Sequence, residues 1–222
     1  MEKGASEVSI RLKFVTVSLI YIVLFLNAYI MHDSFIATIS AFCGITYTLL
    51  AGKGNPICYL IGLTGSFFYI YLALINHFWG NLLLYGLYFI PMQIIGFVKW
   101  NKNLKKDKYE IIKTKLNLKE NIICLLTTLV ISIIVIFILY YFKDTNPIVD
   151  GLTTTFSILG MYLTVRRVIE QWYVWAGVNL LSLIMWLLIA LNGGNVYSTV
   201  YMWFIYFILS VYFYKTWEKE LT

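Results

Sequence analysis

In the stretch WYVWAGVNLLSLIMW, Trp172, Trp175, Asn179, Ser182 and Trp186 recur at steps of 3, 4, 3 and 4. That spacing puts three indoles, an amide and a hydroxyl on one stripe of a helix. An unpaired amide in an apolar surround costs a few kcal/mol, so Asn179 needs a partner, either a neighbouring helix or a bound guest. A second deep amide, Gln93, follows Pro91 in an earlier apolar run, with Tyr88 nearby; Tyr206 and Ser210 occupy a third. The eight form a neutral set: Gln93, Asn179, Ser182 and Ser210 for hydrogen bonding, Trp175, Trp186, Tyr88 and Tyr206 for stacking. Such a set suits a flat ring carrying a hydroxylated sugar. A cationic ring over an indole gains roughly 0.5–2 kcal/mol. The apolar runs bring no Asp, Glu, Lys, Arg or His to mid-depth, and His32 and His77 fall in loops. Paired-carboxylate or His/Asp catalysis is therefore not expected, so no enzyme is predicted. The three cysteines, Cys43, Cys58 and Cys124, lack metal-ligand spacing and read as apolar filler. No cofactor or metal is expected.

These residues need helices to carry them. The chain has 222 residues, 60% hydrophobic and 13% charged; soluble domains carry roughly 25% charged residues, so a polytopic membrane protein is predicted. The apolar runs predict an all-α protein with eight spans near 12–31, 34–51, 56–75, 79–99, 121–142, 147–165, 172–191 and 196–216. The runs are too long and too continuous for barrel strands. The first is also too long for a cleaved signal peptide and reads as a mature helix. With a cytoplasmic N-terminus, all but Lys143 of the 17 basic residues fall on the inner side. Both ends then lie in the cytoplasm, and nucleic acid is not the partner. The run NKNLKKDKYEIIKTKLNLKE (101–120) reads as a solvated, lipid-facing linker. Pro56 and Pro147 open spans, whereas Pro91 lies inside one and is expected to free the Leu87 carbonyl and bend it.

Shifted by 117 residues, the second half lies over the first: Asp33 meets Asp150, Leu63 meets Leu180 and Trp100 meets Trp217. In that register Trp175, Asn179, Ser182 and Trp186 face Cys58, Gly62, Gly65 and Tyr69, and Gln93 faces Ser210. The implied organisation is a tail and extra N-terminal helix (1–32), a three-helix repeat (33–100), a basic linker with a connector helix (101–146) and a second repeat (147–222). Two parallel triple-helix repeats joined by one connector, 3+1+3, are the build of SWEET-type transporters, whose site lies at the repeat interface near the midplane.

QIIGFVKW (93–100) and WYVWAGVN (172–179) together resemble the PnuC family of bacterial vitamin transporters, from about residue 33 onward. The resemblance implies a SWEET-like fold in the bacterial inner membrane, a homotrimer among membrane lipids, and facilitated diffusion of nicotinamide riboside. It also implies trapping of the substrate by a cytoplasmic kinase, which links uptake to NAD biosynthesis. Gln93, Trp175 and Asn179 match the family's polar and aromatic binding pattern. The ending SVYFYKTW departs from it, with Tyr212, Phe213 and Tyr214 where relatives often keep a Gly before the last Trp. Relatives that carry thiamine or deoxynucleosides define the alternative substrates, and a capture subunit of a larger transport complex is the alternative role. Absence of a membrane-embedded proton relay and of a G-x-x-x-x-G-K-[ST] loop favours downhill transport.

Overall fold

A computed structural model describes residues 2–32, 34–75, 82–106, 109–143, 146–192 and 197–222. Side chains are described from residue 15 onward, apart from 37, 72, 73, 75, 189, 197 and 198. Asp33 and His77 lie outside the described residues. Every regular element is helical: α1 Glu2–Ile30, α2 Phe35–Gly52, α3 Cys58–Ile75, a π-helical turn Leu84–Phe89 leading into α4 Ile90–Asn101, α5 Leu118–Tyr141, α6 Pro147–Val165, α7 Gln171–Leu191 and α8 Tyr197–Leu221. By length and composition, Leu118–Tyr141, Pro147–Val165 and Gln171–Leu188 could each cross a bilayer.

Local chemistry sets several of these ends. Asn117 and Glu120 form a reciprocal capping box that starts α5. Pro147 occupies the first turn of α6, where its missing N–H has no helical acceptor to lose. Gly54 (φ 69°) and Arg167 (φ 62°) end α2 and α6 in the left-handed region. In both cases the following N–H reaches back five residues, Asn55 to the Leu50 carbonyl and Val168 to that of Leu163. The helix widens just before Pro91, and the Ile90 N–H bonds the Tyr85 carbonyl five residues back. That π turn absorbs the ring that an α register would have clashed with.

Among the described residues, six helices close a ring by neighbour packing, in the order α2, α3, α4, α6, α7, α8 and back to α2. Two seams join the halves, α4 on α6 and α8 on α2. Each seam is latched by the last indole of one half: Trp100 Nε1 donates to the Thr164 carbonyl at 2.9 Å, and Trp217 Nε1 to the Gly52 carbonyl at 2.7 Å. Both indoles are fully buried. Outside the ring, α1 packs on α2 and α8, while α5 packs on α6 and is bonded to α7 through Tyr173 and Asn121.

The segment expected to be a solvated linker is a packed strap. Ile111, Lys113 and Leu116 are buried, Ile111 completely. The Ile111 N–H bonds the Gly54 carbonyl, and Thr114 and Ile169 exchange bonds with the end of α6 and the strap. The Lys113 ammonium lies 2.6 Å from Glu220 and 3.0 Å from Glu110, over the Trp217 ring. Ile111, Lys113 and Leu116 turn inward while Ile112 and Lys115 stay exposed, so the buried positions follow neither the charge nor a strict period of the run.

Candidate functional site

The α7 stripe divides among several neighbours. Trp172 is buried, edge-on to Trp217 at 5.5 Å and tilted on Phe213 at 5.2 Å. Trp175 lies over Gly160 of α6, whose missing Cβ would sit 2.8 Å from the indole. Its N–H already bonds Thr164 Oγ1 at 3.0 Å. Asn179 donates to Ser210 Oγ at 3.0 Å across the α7–α8 seam, and Ser210 in turn donates to the Tyr206 carbonyl at 2.8 Å. All of Asn179, Ser182 and Ser210 are buried; Trp186 is half-buried.

On the other side of the ring, Gln93 donates to Ser66 Oγ at 2.8 Å, but its buried Oε1 has no partner. A Cβ at Gly62 would lie 2.8 Å from both that oxygen and the Tyr47 ring, so Gly62 leaves the room in which they meet. The Tyr47 and Tyr59 hydroxyls are likewise buried without partners. Three such atoms in one neighbourhood cost about 1–3 kcal/mol each unless something else bonds them. Tyr69 and Tyr85 stack at 4.3 Å, and both lie within electrostatic reach of the Tyr206 hydroxyl. Tyr206 itself packs against Gly44. The resulting cluster is neutral, aromatic and under-bonded.

Tyr88 stands apart. Its hydroxyl donates to the Ile158 carbonyl at 2.8 Å, and its ring lines a flank groove with α5 and α6. Tyr88, in the π turn, bonds α6, whereas Gln93, in α4, bonds Ser66 of α3, so the two face different ways.

Three contacts recur in the two halves. Tyr59 stands edge-on to Trp100 at 5.0 Å as Trp172 does to Trp217. Gln93 bonds Ser66 as Asn179 bonds Ser210, with amide and hydroxyl exchanged between helices. Tyr47 covers Gly62 as Trp175 covers Gly160, again with large and small exchanged. The differences 172−59, 175−62 and 179−66 are each 113, whereas 217−100 and 210−93 are each 117. In these contacts Asn179 parallels Ser66 and Trp175 parallels Gly62, four residues from the register of 117 expected above. Four residues are about one helical turn, which leaves the buried face nearly unchanged and hides the slip from a hydropathy pattern. Phe213, matched to Gly96, fills the space beside Gly52.

Residues 34–219 match the family described as nicotinamide mononucleotide transporter. The chain is 30% identical over 192 residues to the nicotinamide riboside transporter PnuC of Neisseria mucosa, covering 84% of this chain and 73% of that one. The chain belongs to the PnuC family. The Haemophilus influenzae PnuC, also named a nicotinamide riboside transporter, is 28% identical over 189 residues, covering 84% and 80%. A crystal structure of the vitamin B3 transporter PnuC superposes with a TM-score of 0.81 at 27% identity, covering 94% of this chain and 91% of that one. Sequence reasoning on this PnuC member missed Tyr47, Tyr59, Ser66, Tyr69 and Tyr85. With 18 tyrosines in the chain, residue type alone could not single out the four tyrosines among them.

Proposed function

We propose that the chain carries nicotinamide riboside down its gradient across the bacterial cytoplasmic membrane, after which a cytoplasmic kinase traps it. The observation that carries this reading is the unpaired Gln93 Oε1 beside the Tyr47 and Tyr59 hydroxyls. A carboxamide N–H or ribose hydroxyl supplies the partner that Gln93 lacks, and the stacked tyrosines offer faces to a flat ring. Riboside fits better than mononucleotide. Gln93, Asn179, Ser66, Ser210 and the tyrosines carry no charge, and a buried phosphate facing only neutral groups is strongly disfavoured. The buried ammonium of Lys113 is already committed to Glu110 and Glu220 at the strap.

In this reading eight helices span the membrane with both ends cytoplasmic, and the protein assembles as a homotrimer. Two parallel three-helix units, α2–α4 and α6–α8, face each other across the ring, and the exchanged contact pairs support that relation. The strap then closes the cytoplasmic end, and release inward requires it to part from α8. Proteoliposomes test the whole. Labelled nicotinamide riboside should equilibrate without accumulating and ignore a pH gradient, while the mononucleotide stays outside. Proton-driven accumulation, or equal entry of the mononucleotide, overturns the proposal.

A further inference from the structure

Two clefts adjoin on one flank of the ring, and the established fold uses neither. One, about 500 Å³, opens at the basic end between the strap, the start of α5 and the end of α6; Lys99, Lys115, Arg166 and Arg167 line it with a single carboxylate, Glu120. Four cations against one carboxylate leave three positive charges unmatched. Glu120 lies 3.6 Å from Arg166, and Arg167 donates to the Ile112 carbonyl at 3.3 Å. Lys99 and Lys115 are exposed. The other cleft, about 270 Å³, runs along the bilayer-facing flank between Tyr88, α5 and α6, walled by Ile123, Ile131, Ile158 and Leu159. The Arg166–Tyr162 contact joins them, with a 3.3 Å hydrogen bond and the guanidinium 5.6 Å over the ring. Glu120 and Cys124, one helical turn apart on α5, line the two clefts in the same order.

The groove runs along the α5–α6 contact, past the point where Tyr173 of α7 donates to Asn121 at the start of α5. At the opposite seam α1 packs on both α2 and α8. We propose that the paired clefts bind one anionic phospholipid, its phosphate on the four cations and an acyl chain in the groove. A soluble phosphate would use the basic cleft alone, and a zwitterionic lipid the groove alone; only an anionic amphiphile uses both. The inference requires that the chain sit in a bilayer and is independent of which solute it carries.

Delipidated full-length protein in neutral detergent provides the test, read by melting temperature and native mass spectrometry. Phosphatidylglycerol should raise the melting temperature and stay bound, whereas phosphatidylcholine and inorganic phosphate should do neither. A Lys99→Gln/Lys115→Gln double variant should melt as wild type without lipid yet bind phosphatidylglycerol roughly tenfold more weakly. Ile158→Trp, which fills the groove from an exposed position, should weaken it as well. Equal retention of phosphatidylcholine, stabilisation by inorganic phosphate alone, or unchanged affinity in both variants overturns the proposal. So does an Ile131→Cys crosslink that joins two copies across the groove.

Discussion

Gln93 and Asn179 are both buried amides bonded to a serine, yet Gln93 keeps an acceptor without a partner inside the protein. On the proposed function, that difference assigns ligand contact to Gln93 and interhelical bonding to Asn179. Tyr47→Phe removes an orphaned hydroxyl, so the empty protein should gain about 1 kcal/mol of stability while nicotinamide riboside binds less tightly. Thermal melting and calorimetry on the same preparation read both signs, and a loss of both would make the hydroxyl structural. Gln93→Ala should lower affinity about tenfold, the effect of one hydrogen bond of roughly 1.4 kcal/mol. Asn179→Ala should act mainly on stability, since its amide already bonds Ser210.

The unit of design at the next scale is the helix pair, with one amide and one hydroxyl shared between α3 and α4 and again between α7 and α8. If the exchange of roles is neutral, Asn179→Ser with Ser210→Gln should rebuild the first half's arrangement in the second. The double variant is expected to recover about 1 kcal/mol relative to the sum of the two single variants. Additive losses in a double-mutant cycle would mean that each half's backbone spacing admits only its own order. The π turn before Pro91 belongs to this scale too. It sets Tyr85 facing Tyr69 while carrying Tyr88 to the flank, an assignment that a uniform 3.6-residue period could not provide.

For the molecule as a whole, the strap couples its two halves and its basic end. Burial acts to raise the Glu110 carboxyl, but the Lys105 and Lys113 ammonium groups outweigh it and hold the pKa at about 2, below its ordinary 4.5. A depressed folded pKa gives stability that is present above pH 4.5 and lost as pH falls toward 2. Melting temperature should therefore decline through that window, and Glu110→Gln should flatten the decline. Glu110 is partly exposed, so the effect is modest. Glu220→Gln breaks the link from strap to α8. Faster riboside flux in proteoliposomes at unchanged affinity is expected if the strap closes the inner end; slower flux would give it a different role.

Composition and hydropathy alone determined that the chain is helical, because an apolar run near 20 residues long with internal hydrogen bonding leaves little other choice; the start of α1 at Glu2 and the π turn at Leu84–Phe89 lay outside that pattern. The quoted motifs likewise determined the family. Only the tertiary structure decided which polar atoms remain unbonded, since a tyrosine's partner depends on what crosses its path from another helix. It also decided the one-turn slip between the halves and the burial of the basic strap. A shift of about one turn preserves every buried face, and the charge of the strap hides its buried Ile111 and Leu116.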